Sequence, residues 1–128
     1  MIKQGNKIVS KWATIEYEDG VCYGEYHAVD LNLAAAKEVT EDRIRSHEGF
    51  KAVLVVDVTK VLSVSKDARS YFTDHGSENL KATAMIIGSG FNSMLANFFM
   101  KVNFKRPPIP VKMFKEKKEA LIWVRKYL

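Results

Sequence analysis

The run Lys51-Ala-Val-Leu-Val-Val-Asp57 limits the fold more than any other stretch of this chain. Its consecutive apolar residues, mostly β-branched, leave no polar alternation and therefore no face for water. Such a segment reads as a strand covered on both sides of its sheet. A strand of that kind needs helices above and below it, and the flanking sequence offers them. Asn32 stands as a helix cap before an Ala-, Glu-, Lys- and Arg-rich stretch from Leu33 to His47, and Gly49 marks its stop. Ser65 caps a short helix from Lys66 to about Asp74.

The same alternation continues to the end of the chain. Lys81 to Gly88 reads as a second central strand, and Ser89 caps a long helix from Gly90 or Phe91 to about Phe104. Pro107-Pro108-Ile109-Pro110 ends that helix and leads to a short strand, Val111 to Phe114. A last helix, Glu116 to Tyr127, sets Ala120, Ile122, Trp123 and Tyr127 at helical spacing. Before all of this, Lys7 to Tyr17 alternates through Ile8, Trp12, Thr14, Ile15 and Tyr17. Glu18-Asp19-Gly20 then separates it from Val21 to Tyr26, the strongest short-range signal of a hairpin.

The predicted order is β-β-α-β-α-β-α-β-α. It is an α/β chain whose N-terminal antiparallel hairpin feeds alternating βα units with right-handed crossovers. The expected sheet is five-stranded, mixed but mainly parallel, with four helices. The 128 residues are one domain, residues 1–128, without repeat, linker or low-complexity tract.

A single cysteine, Cys22, allows no intrachain disulfide and is too few for a usual structural zinc site, which points to a reducing compartment, the cytoplasm. No secretory leader is read at the start, and Ala52 to Val56 and Met94 to Met100 are too short to span a bilayer. The net charge of +5 is uneven: from Met100 onward nine Lys or Arg meet two Glu, while residues 1–99 are slightly acidic. That asymmetry fits either an anionic partner or a solvated basic face on the last helix.

The order of elements resembles the SpoIIAA-like fold shared by STAS domains, and more closely a STAS-like family of small bacterial proteins of unassigned function, common among Bacteroidetes. The resemblance runs from about Ile8 to Leu128. It rests on Asp19-Gly20, Val53-Leu-Val-Val-Asp57, Asp67-Ala-Arg-Ser-Tyr-Phe72, Ala84-Met-Ile-Ile-Gly-Ser89, Asn97-Phe-Phe99, Pro110-Val-Lys-Met-Phe114 and Glu119-Ala-Leu-Ile-Trp123. It implies a domain that works by docking. In the anti-sigma-factor antagonists a regulatory serine opens the second helix in a pattern like Asp-Ser-Ser-Gly-Leu. Here the stretch is Leu62-Ser63-Val64-Ser65-Lys66-Asp67, without the preceding Asp and the following Gly. The resemblance therefore does not carry phosphate-regulated partner switching to this chain.

Two surfaces are candidates. The start of the second helix, with Ser63, Ser65, Asp67 and Arg69, would meet a protein partner; a phosphate on Ser65 would face free N–H groups, although an ordinary N-cap is the favoured explanation of the serine. The third helix carries more apolar residues than one stripe requires. Phe91, Met94, Phe98 and Phe99, followed by Lys101, Lys105 and Arg106, would form a self-association face, a lipid groove or a contact with an anionic surface. Gly88-Ser-Gly-Phe-Asn92 lacks the Gly-Lys-Ser/Thr of a P-loop and reads as a tight turn.

The three histidines, His27, His47 and His75, share no metal spacing. Asp57 ends a central strand, where it serves as an acid or caps the turn. The expectation is a non-catalytic regulatory, protein-binding module without cofactor, metal or nucleic-acid partner, with a small apolar-ligand or membrane-surface module as the alternative.

Overall fold

The computed structural model of the chain describes residues 2–4, 7–88 and 108–128. The strands, numbered in chain order, are β1 (Ile2–Gln4), β2 (Lys7–Val9), β3 (Ala13–Glu18), β4 (Val21–Tyr26), β5 (Asp30–Leu31), β6 (Ala52–Asp57), β7 (Ser63–Val64), β8 (Leu80–Ile86) and β9 (Val111–Phe114). The helices among the described residues are α1 (Leu33–Ser46), α2 (Lys66–His75) and α3 (Lys117–Val124), the last running into a 3-10 turn, Arg125–Tyr127.

Among the described residues the main sheet has seven strands in the order β1-β2-β3-β4-β6-β8-β9, and β5 and β7 form a separate parallel pair. The first three pairings are antiparallel and the last three parallel. The expectation of five strands, mainly parallel, is thus corrected to seven, evenly mixed. One added strand is β1, which precedes the segment read as the first strand, and the other comes from a turn at Ser10. Its Oγ accepts from the N–H groups of Trp12 and Ala13, and its own N–H donates to Ala13 O at 3.0 Å. This turn reverses the chain inside the segment expected to be one strand, and brings Ile8 opposite Ile15, both buried. The expected third helix, over residues 91–104, lies outside the described residues.

The hairpin between β3 and β4 forms as expected. Asp19 and Gly20 both hold positive φ, 50° and 86°, as a two-residue turn matching the strand twist requires. A Cβ added at Gly20 would stand 2.9 Å from Leu128 Cδ2, so the turn and the C-terminus approach closely.

β6 sits between β4 and β8, and its residues alternate between two cores. Leu54 and Val56 face one that also holds Ile8, Ile15, Cys22, Tyr26, Leu31 and Val39. Val53 and Val55 face another with Ala82, Ala84, Ile86, Ala120 and Val124. α1 and α2 pack against each other over the first face, and α3 covers the second. Ile122, expected at the buried stripe of the last helix, is exposed, and Val124 is buried in its place. α3 spans two turns only, and Ala120 and Val124, four residues apart, are its fully buried contacts with the sheet, with Leu121 and Trp123 packed beside them.

Capping follows the sequence. Asn32 Oδ1 accepts from Ala35 N at 2.9 Å, and Ser65 Oγ accepts from Ala68 N at 3.1 Å. Asn32→Ala is expected to lower the unfolding free energy by about 1 kcal/mol, read as a shifted midpoint at unchanged slope in urea denaturation. An unchanged midpoint would contradict this role of the cap.

Candidate functional site

Between the α1–α2 layer and the sheet lies a cavity of about 290 Å³. Its floor comes from alternate residues of four neighbouring strands, among them Ile15 of β3, Cys22 and Gly24 of β4, Leu54 and Val56 of β6, and Thr83 and Met85 of β8. Val39 and Arg43 of α1 and Phe72 of α2 line the opposite side. Side chains point to alternate faces of a strand, so Leu54 and Val56 reach the cavity while Val53 and Val55 do not. Gly24 contributes space: a Cβ there would sit 3.7 Å from Val56 Cγ2, an ordinary contact.

Most of the lining is apolar, and of its charged residues Glu25, Arg43 and Asp74 only Arg43 is buried, at 5% exposed. His47, 1% exposed, holds it: Arg43 Nη1 donates to His47 Nε2 at 3.1 Å, while His47 Nδ1 lies 2.9 Å from Phe50 O. A guanidinium can only donate and a carbonyl can only accept. The bonds therefore assign a neutral imidazole with its proton on Nδ1. Burial, with Arg43 beside it, pushes the His47 pKa down and keeps the ring in that form. Arg43 Nη2 reaches Gly76 O at 3.5 Å.

Burial likewise raises the Cys22 thiol and the Tyr26 hydroxyl. Ser46 Oγ donates to Arg43 O at 2.6 Å, so the Cys22 thiol, 3.5 Å from that hydroxyl, is the donor in their contact. One residue before Arg43, fully buried Asp42 binds Arg45 through Oδ1, and its Oδ2 is without a hydrogen-bond partner among the described residues. Burial raises its pKa.

The residues expected to meet a partner do gather at the start of α2. Ser65 is exposed and serves as the N-cap, and Asp67 is exposed in the first turn. Ser63 Oγ donates to Asp30 Oδ1 at 2.6 Å across the β5–β7 pair, and Arg69 is half-buried. Phe91, Met94, Phe98, Phe99, Lys101, Lys105 and Arg106 lie outside the described residues, as does the Gly88–Asn92 turn beyond Gly88.

Asp57 caps its turn, with Oδ1 accepting from Thr59 N at 2.9 Å and from Thr59 Oγ1 at 2.6 Å. The histidines stand apart: His27 Nε2 lies 2.9 Å from Thr14 Oγ1, and His75 Nδ1 lies 2.7 Å from Glu78 Oε1. Of the C-terminal basic residues, Lys117 and Lys112 stack on the rings of Tyr23 and Phe114 at 4.0 and 5.4 Å. Among the described residues no helix is long and apolar enough to cross a membrane, and no group of three His, Cys, Asp or Glu could hold a metal ion.

Arg43 and His47 were missed as candidates because α1 reads as a charged surface helix. The signal was there in the spacing: Val39, Arg43 and His47 stand four apart on the face that Ala35 and Ala36 bury.

The parallel strands β4, β6, β8 and β9, entered through the β3–β4 hairpin and covered by helices on both faces, define a protein of the SpoIIAA-like fold. The structure of an uncharacterized DUF3478-family protein with that fold, from Shewanella loihica PV-4, is similar with a TM-score of 0.64 and 22% identity. The match covers 87% of this chain and 90% of that one. The chain itself belongs to the family described as Domain of unknown function (DUF7793), which matches residues 15–128. No curated protein matches it.

The neutral state of His47 has a consequence for stability. Its folded pKa lies below the ordinary 6.5, so the unfolded chain binds the extra proton first as pH falls. This contribution is whole above about pH 6.5 and is lost as pH drops through the lower folded value. Urea denaturation from pH 7.5 downward is expected to show a steeper loss of stability for the wild type than for His47→Gln. Parallel pH profiles would contradict the assignment.

Proposed function

We propose that this chain is a non-catalytic ligand-binding module that takes up a small, predominantly apolar molecule in the cavity between its sheet and the α1–α2 layer. The cavity carries this reading. Interiors of domains this size close-pack and leave few voids larger than a water molecule, whereas about 290 Å³ is close to the lower end of small-molecule sites. Its walls are apolar with few polar groups among them, the usual make-up of such a site.

The chemistry at hand supports binding over turnover. Cys22, with its thiol pKa raised, is a poor nucleophile. His27 and His75 bond to Thr14 and Glu78 respectively, and His47 holds Arg43. A docking role for the start of α2 is a second reading. It is favoured by the exposed Leu62 beside Ser63, Ser65 and Asp67, and it would let occupancy of the cavity, lined by Phe72 of the same helix, reach a protein partner.

Gly24→Val tests the binding reading without removing any contact. A valine suits a strand better than glycine, and its methyl groups would enter the cavity floor. A small neutral apolar fluorophore such as naphthalene is expected to bind the wild type stoichiometrically and the variant at least tenfold more weakly, at equal or higher thermal stability. Equal binding by both, or none by the wild type, would contradict the proposal.

A further inference from the structure

We infer that Arg43 anchors the carboxylate of a small amphipathic acid whose apolar body fills the cavity, an assignment that deepens the ligand-binding reading and rests on it. The argument begins with charge. Arg43 is almost completely buried and lines the cavity, yet among the described residues no carboxylate oxygen lies within the 4.0 Å of an ion pair. Its two bonds go to neutral acceptors, His47 Nε2 and the Gly76 carbonyl. A buried ion without a counter-ion is among the most unfavourable arrangements in a protein interior.

The surroundings soften the charge without cancelling it. Arg43 lies in the last turn of α1, and Gly76 caps the end of α2, so two helix C-termini bring partial negative charge toward it. Glu78 acts on Arg43 only from beyond ion-pair reach and bonds to His75 at 2.7 Å. Glu25, on the cavity lining, pairs with Lys60 at 3.0 Å, and Asp74, also on the lining, is exposed to solvent and lies beyond ion-pair reach of Arg43. Cys22 and Tyr26, the nearby acids of the cavity wall, are held neutral by burial.

Geometry then selects the anion. A guanidinium carries five donors in a planar fork, and the two bonds on the page leave donors for a ligand. That fork matches a carboxylate with two parallel bonds. One cation balances one negative charge; a phosphate monoester would bring nearly two charges and three oxygens needing donors. The remaining wall, with Leu54, Val56, Phe72 and Met85, asks for an apolar body. At roughly 30 Å³ per water-sized volume, the cavity takes an acid of about ten non-hydrogen atoms.

The probes are octanoate, octanol and octyl phosphate, titrated into the full chain by calorimetry. An apolar pocket alone would take octanol far more readily than octanoate, because the carboxylate must shed its water. Octanoate is expected to bind the wild type at least as tightly as octanol, and octyl phosphate more weakly. Arg43→Gln is expected to weaken octanoate tenfold or more while leaving octanol unchanged, and Arg43→Lys to fall between. The wild-type comparison decides the matter even if the variants fail to fold.

Octanol binding at least tenfold tighter than octanoate to the wild type would overturn the role of Arg43 and leave the cavity reading standing. So would equal losses of both ligands in a folded Arg43→Gln. Tighter binding of octyl phosphate would overturn the carboxylate. If neither octanol nor octanoate binds, both the inference and the ligand-binding reading fail.

Discussion

Every other layer of this molecule follows from β6 having no side that water can wet. Val53 and Val55 are buried on one face of the sheet, and Leu54 and Val56 on the other. Each such side chain contributes on the order of 1.5–3 kcal/mol when buried, so both faces must be covered for the strand to form. α3 covers one face through Ala120 and Val124, while α1 and α2 cover the other. The parallel pairing of β6 with β4 and β8 lets helices make the crossovers, α1 leading into β6 and α2 into β8.

The two faces are covered differently. Under α3 the small side chains Ala82, Ala84 and Ala120 let the helix approach closely, and they are fully buried together with Val53, Val55 and Val124. Under α1 and α2 a cavity remains, bounded on its polar side by Arg43. Holding a guanidinium there takes a chain of bonds: Phe50 O orients His47, His47 accepts from Arg43, and Gly76 O receives the other arm. Gly76 itself cannot carry a Cβ, which would stand 2.5 Å from Phe72 O, so the turn that presents its carbonyl depends on glycine. An anchored cation beside an apolar cavity is what a site for an amphipathic acid requires.

Much of the fold was legible because it is written in local patterns. Asp19-Gly20, the caps Asn32 and Ser65, and the unbroken apolar run of β6 each fix a short piece of backbone by itself. The N-terminal strands were read less well. Buried positions shift from even numbering at Ile8 to odd at Ala13 and Ile15, a change of parity that marks the Ser10 turn but resembles one irregular strand. The start of α2 was located, yet its serines turn out to bind Ala68 N and Asp30. Arg43 and His47 escaped notice because their meaning comes from what lies across from them. An arginine on a charged helix reads as solvated until the sheet, β4 and the end of α2 close around it.

The central claim is that the α1–α2 face encloses an occupiable volume to which the α3 face of the same strand does not contribute. Methyl-labelled NMR of the chain titrated with benzene tests it directly, because adjacent residues of one strand report on opposite faces. The account predicts intermolecular NOEs and shifts at the methyls of Leu54, Val56 and Val61, with Val53 and Val55 unmoved. Shifts at Val53 and Val55, or none at any of the five, would contradict it.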